Sequence, residues 1–186
     1  GAFEGTDLPY SGGAQGIFLD GISDHVTISG NTGAYCDEYG IFLHNSNHIS
    51  LSGNTVFNNF RQLAIIHDEI APNILITDCS VQNNILFSKS ISQLSAYYRT
   101  TKNDIAQFGT FNNNYYCRPV NNDKSILLEY NGPTGMVSEP IDLNAWQKTF
   151  NYDLTSSISP YKLPIYSITD LVDPNLTFNG TFNTDV

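Results

Sequence analysis

The chain has 186 residues, long enough for one domain with a substantial core, and 40% of it is apolar. A formal charge of −10, from 18 Asp and Glu against 8 Lys and Arg, leaves no clustered cations for a phosphate backbone, so nucleic acid is excluded as an expected partner. No apolar run reaches the roughly 18 residues that a helical membrane span requires, and the first residues lack the charged start and apolar stretch of a signal peptide.

Asn, Ser, Thr, Gly, Tyr and Phe are abundant and charged residues make up only 14%, a mixture that favours strands and turns over helices. The three cysteines, Cys36, Cys79 and Cys117, are far apart and follow no metal-ligand spacing, so they read as small buried apolar side chains.

In chain order, the first recognisable unit is Gly16-Ile17-Phe18-Leu19-Asp20 followed by His25-Val26-Thr27-Ile28-Ser29-Gly30-Asn31-Thr32. It recurs as Gly40-Ile41-Phe42-Leu43-His44 followed by His48-Ile49-Ser50-Leu51-Ser52-Gly53-Asn54-Thr55. A third, weaker copy is read as Leu63-Ala64-Ile65-Ile66-His67 with Asn73-Ile74-Leu75-Ile76-Thr77-Asp78-Cys79-Ser80, which sets the period at 23 to 25 residues. In that alignment Val81-Gln82-Asn83-Asn84 matches Val56-Phe57-Asn58-Asn59, and Ala64 joins Ile17 and Ile41 in one inward column. The register blurs between residues 85 and 107, and Phe108 to Tyr116 reads as a last copy.

Each repeat holds short segments of period-two alternation separated by Gly, Asn, Ser and Asp, the mark of strands with one buried face. A single turn this short encloses no core, whereas turns stacked at roughly 4.8 Å pair every strand with the next and build a continuous interior. A leucine-rich repeat competes, because Val26-x-Ile28-x-x-Asn31 and Ile49-x-Leu51-x-x-Asn54 fit its strand signature. The rest of each repeat argues against it, being a second strand-like Gly-Ile-Phe-Leu segment rather than a helical one. At the turns, Asn31 and Asn54 read as a side-chain ladder, and His25 and His48 as turn residues.

The paired segments Gly-Ile-Phe-Leu and Val-x-Ile-Ser-Gly-Asn-Thr resemble the repeats of right-handed parallel β-helix proteins of the pectate-lyase-like superfamily, over roughly residues 13 to 118. The resemblance implies an all-β solenoid of about four to five coils, with a secreted, carbohydrate-active role and a polysaccharide as partner. The shared residues are those of turns and core, so the resemblance specifies fold better than chemistry.

Residues 119 to 140, with three prolines, read as an exit from the stack. Asp142 is then the N-cap of a short helix presenting Leu143, Trp146 and Phe150 on one face, with Trp146 as a core plug. The expected organisation is coils over residues 1–140, a capping helix and closing segment over 141–169, and a linker or the start of a further domain over 170–186. Gly1 is no initiator and the pattern begins without a cap, so the chain is read as the C-terminal part of a longer β-helix.

The alternation turns Phe18 and Asp20 outward, with Phe42 and His44, then Ile65 and His67, expected on the same face, stacking Asp20, His44 and His67 at about 5 Å. Asp68 and Glu69 follow at one end of this ladder, and Tyr39, Arg61, Asp37 and Glu38 lie on loops leading into it. Glycoside hydrolysis needs two carboxyl groups, for which Asp20 with Asp68 or Glu69 are candidates. Lyase or epimerase chemistry needs a base, His44 or His67, and a cation such as Arg61. Phe18, Phe42 and Tyr39 are the candidate sugar contacts, and Asp37 with Glu38 the candidate calcium ligands, the only cofactor suggested. The alternative to an enzyme is a noncatalytic glycan-binding or adhesive module.

Overall fold

A computed structural model describes residues 13–68 and 75–159. Its strands are β1 (Ile17–Leu19), β2 (Thr27–Ser29), β3 (Thr32–Ala34), β4 (Tyr39–His44), β5 (Ser50–Ser52), β6 (Thr55–Phe57), β7 (Arg61–Ile66), β8 (Cys79–Gln82), β9 (Ile85–Phe87), β10 (Leu94–Arg99), β11 (Gly109–Asn112), β12 (Tyr115–Cys117), β13 (Ile126–Gly132), β14 (Gly135–Ile141) and β15 (Ser157–Ile158). One α-helix, α1, spans Leu143–Phe150.

The strands form three sheets, ordered β1-β4-β7-β10-β13-β14, β11-β8-β5-β2 and β15-β12-β9-β6-β3. Every pairing is parallel except β13 with β14, so each sheet collects one strand from each successive coil of a parallel β-helix.

The interior is built from columns of apolar residues in register. Ile28, Leu51, Val81 and Phe111 form one, and Val56, Leu86 and Tyr116 another. In the six-stranded sheet Ile17, Ile41, Leu63, Ala96 and Ile126 make a third. Leu63 therefore takes the inward place expected for Ala64, which pairs instead with Phe42 on the outer side. The β5 to β8 step also differs from the expected alignment, because Val81 lies against Leu51 rather than Val56.

The turns are held by an asparagine ladder. Asn54 Oδ1 accepts from the Asn31 N–H, Asn84 Oδ1 from the Asn54 N–H, and Asn114 Oδ1 from the Asn84 N–H, each at 3.0 Å. The separations of 23, 30 and 30 residues show coils lengthening along the chain, which is why a fixed period loses the register. The residue before each ladder Asn is left-handed: Gly30, Gly53, Asn83 and Asn113 have φ of 66°, 64°, 58° and 54°. Gly and Asn tolerate that conformation, which explains the Gly-Asn and Asn-Asn pairs.

Residues 126–141 are not an exit from the stack. Ile126 and Leu128 continue the inner columns, and β14 folds back antiparallel on β13. Helix α1 then covers the end of the core as expected. Asp142 Oδ1 accepts from the Ala145 N–H at 2.7 Å, and the fully buried Trp146 stacks on Tyr98 at 4.8 Å. Asp153 ends the asparagine ladder, accepting at 2.9 Å from Asn114 Nδ2 and at 2.8 Å from both Trp146 Nε1 and Tyr116 Oη. The cysteines are free thiols, with Cys79 and Cys117 buried and Cys36 half-buried. Among the described residues no helix is long and apolar enough to cross a membrane. The segment 170–186 lies outside the described residues.

Candidate functional site

Strands β1, β4, β7, β10 and β13 present a broad outer face. Parallel pairing places Phe18 beside Phe42, and their rings stack at 4.8 Å with only 7° between planes. Tyr39 packs on Phe42 at 4.5 Å, and the His44 ring lies 5.4 Å from Phe42. Farther along, Ala64, Ile66 and Tyr97 form a buried apolar cluster against Tyr39, Phe42 and Leu127, separate from the interior of the coils.

The polar edge of this face centres on His44. Its Nδ1 lies 2.9 Å from Asp20 Oδ1 and its Nε2 2.7 Å from Asp68 Oδ2. The three residues are spaced 24 apart, so the turn of each coil contributes one of them. Asn45, buried and left-handed at φ 49°, fixes the arrangement. Its Nδ2 donates to Asp68 Oδ1 at 3.0 Å, and its Oδ1 accepts from the Asp68 N–H at 3.0 Å. Asp20 also accepts from the Gly21 N–H at 2.9 Å.

Partial burial pulls the His44 pKa down, but the hydrogen bonds and negative charges of Asp20 and Asp68 together outweigh it and raise the value above that of a free imidazole. The Asp20 carboxyl is held below its usual range, first by the hydrogen bond from His44 and then by the Gly21 N–H. The two flanking carboxylates thus favour the protonated form of the imidazole.

His67 does not join this ladder. Leu43 pairs with Ile65 and His44 with Ile66, one residue out of the expected register, which leaves His67 buried, with its N–H donating to Arg99 O and Nδ1 3.4 Å from Thr101 Oγ1. Ile65 likewise points inward, fully buried in the main core. Glu69 lies outside the described residues.

Arg61 lies among rings, its guanidinium 4.3 Å from Phe60, 4.7 Å from Tyr97 and 5.7 Å from Tyr39, and its buried Nε has no hydrogen-bond partner. Tyr97 Oη donates to Glu129 Oε2 at 2.6 Å, and Arg99 Nε lies 3.8 Å from the same carboxylate oxygen. Burial, reinforced by Glu129, raises the Tyr97 pKa far from neutrality, so this phenol is no ready base. Glu38 Oε2 accepts from Gln15 Nε2 at 2.9 Å, while among the described residues neither Asp37 nor Glu38 belongs to a set of three close His, Cys, Asp or Glu ligands.

Sequence reading missed Asn45, Tyr97, Arg99 and Glu129 on this face. Asn45 is signalled by its place directly after His44, at a turn that requires a left-handed residue. The other three follow the point where the repeat lengthens.

A family model described as the right-handed beta helix region matches residues 10–135 of the chain. No curated protein and no solved structure matches it.

Proposed function

The chain belongs to the right-handed β-helix family, matched over residues 10–135, and from that premise we propose that it is a secreted carbohydrate-active protein that hydrolyses a polysaccharide laid along the outer face of the six-stranded sheet. The observation that carries this reading is His44 held between Asp20 and Asp68, at 2.9 Å and 2.7 Å, beside the stacked rings of Phe18 and Phe42. A sugar ring offers an apolar face as well as hydroxyls, which suits an aromatic platform edged by carboxylates.

Glycoside hydrolysis needs a proton donor for the departing oxygen and a carboxylate that activates water on the opposite side of the bond. Asp20 and Asp68 are hydrogen-bonded to opposite edges of one imidazole, and a ring between two carboxylates favours the wider spacing of an inverting pair, roughly 6.5 to 9.5 Å, over the roughly 5 to 5.5 Å of a retaining one. Asp20, the more exposed of the two and favoured in its ionised form, is the base. Water gives its proton to Asp20 as its oxygen bonds to the anomeric carbon. The glycosidic C–O bond breaks, and the departing oxygen takes a proton that His44 Nε2 passes through Asp68. Asp20 then releases its proton to solvent and His44 regains one, restoring the starting state.

Elimination on a uronic acid is the weaker chemistry here, because both nitrogens of His44 are occupied by carboxylates and leave no free base for the ring proton. Arg61, stacked on rings and facing no carboxylate in an ion pair among the described residues, is placed to receive an acidic substituent on the bound glycan.

The test is reducing-end release from a panel of neutral and acidic polysaccharides by the parent chain, Asp20→Asn and Asp68→Asn. The reading predicts cleavage of at least one glycan, reduced by about 10²-fold or more in each variant with binding retained. Unchanged cleavage in both variants contradicts it. Binding by the parent chain with no cleavage at all identifies a noncatalytic glycan-binding module instead.

A further inference from the structure

A second histidine cluster lies away from the aromatic groove, at the turns that lead into β2, β5 and β8. His25, His48 and Asp78 occupy equivalent places in successive coils, all left-handed, with φ of 54°, 50° and 55°. The His25 and His48 rings stack at 4.4 Å with 13° between planes. Asp24 reaches both: its Oδ2 lies 2.9 Å from His25 Nδ1 and its Oδ1 2.7 Å from His48 Nδ1. On the far side of His48, Nε2 is 3.5 Å from Asp78 Oδ2.

A turn in this fold does not require histidine. Gly30, Gly53, Asn83 and Asn113 satisfy the same left-handed geometry at lower steric cost elsewhere in the coils. What Asp24, His25 and His48 add is three ligand atoms within 4.8 Å of one another. Two imidazole nitrogens and one carboxylate oxygen suit a borderline cation of the zinc class, whereas calcium and magnesium prefer all-oxygen sets. Asp78 stands where a supporting carboxylate belongs: with Nδ1 on the ion, His48 would carry its proton on Nε2, 3.5 Å from Asp78 Oδ2, whose charge favours that tautomer.

We propose that Asp24, His25 and His48 form a zinc-class metal site, supported by Asp78, that clips two neighbouring coils together. Two ligands come from one coil and His48 from the next, so the ion opposes their separation and stabilises the folded chain by mass action. The site is exposed, so an ion reaches it directly from solvent.

The experiment is calorimetric titration of the full chelator-treated chain with zinc chloride, with thermal melts in parallel. We expect one zinc per chain in the micromolar range, undisturbed by millimolar calcium or magnesium, and a rise in Tm with zinc. His25→Gln, His48→Gln and Asp24→Asn each weaken binding at least 30-fold and abolish the Tm rise, while Asp78→Asn weakens it about 10-fold. His44→Gln, in the other histidine cluster, binds zinc like the parent. Circular dichroism checks that each variant is folded, and a loss in any two folded variants of the Asp24, His25 and His48 set suffices. Absence of binding by the parent, binding unchanged in a folded His25→Gln/His48→Gln double variant, or loss in folded His44→Gln overturns the assignment.

Discussion

His44 Nε2 and Asp68 Oδ2 are 2.7 Å apart although the strand partner of His44 is Ile66, two residues earlier. The contact is made beyond the end of the ladder, where Asn45 holds the Asp68 backbone and carboxylate together. This places a carboxylate, and not a second histidine, against the imidazole.

The linkage between this contact and pH has a definite sign. His44 is raised relative to its unfolded value, so the stability it contributes is fully present below the unfolded pKa, near 6.5, and is lost as pH rises through the folded value. Chemical unfolding of the parent and His44→Gln at pH 5.5, 7 and 8.5 should show the largest gap at pH 5.5, narrowing toward pH 8.5. A gap that widens with pH contradicts a raised imidazole.

Phe18 tests the platform with little disturbance to the fold, because it is 43% exposed at the edge of the sheet. Phe18→Ala should lower stability by less than about 1 kcal/mol while weakening glycan binding about 5- to 10-fold through the lost stacking surface. Affinity electrophoresis in polysaccharide gels, beside a urea melt, separates the two effects.

Asn84 and Asn31 hold the same kind of ladder position in different settings. Asn84 is buried, accepts from Asn54 and donates to Leu51 O at 3.1 Å, whereas Asn31 is exposed. Asn84→Ala strands buried backbone groups and should cost about 2 to 4 kcal/mol, and Asn31→Ala less than about 1 kcal/mol. Urea unfolding of both variants checks the ratio.

Asp153 links the ladder to the cap. Replacing it with Asn turns an amide donor toward either Trp146 Nε1 and Tyr116 Oη or Asn114 Nδ2 and Ser156 Oγ, all of them donors to the carboxylate. Asp153→Asn should destabilise by about 2 to 4 kcal/mol. The fluorescence of Trp146, the single tryptophan, should report loosening of the cap before the coils unfold.

What the sequence revealed and concealed follows from where the alternation is clean. Ile17 with Ile41, Ile28 with Leu51, and Asn31 with Asn54 were legible because inner apolar residues alternate with polar ones over coils of nearly equal length. Leu63-Ala64-Ile65-Ile66 is apolar on both faces, since Ala64 and Ile66 pack against Tyr97 and Phe42 outside the coil, so period two had nothing to distinguish and the register slipped by one. The β5 to β8 step slipped for a different reason, a coil lengthened to 30 residues. Ile126 to Leu128 was hidden by the flanking prolines and glycines, which mark a hairpin that closes the sheet rather than an exit from it. Of the candidate site, Asp20, His44, Asp68, Phe18, Phe42 and Tyr39 converge on one face, and Arg61 joins them through its rings. His67 was misplaced by the same slip that misplaced Ala64.

The most direct test of hydrolysis by Asp20 and Asp68 is proton NMR of the first products formed from a cleaved glycan. Paired carboxylates on opposite edges of His44 predict a saturated product whose new reducing end first appears with the anomeric configuration inverted. An unsaturated product, or a new reducing end with retained configuration, would contradict it.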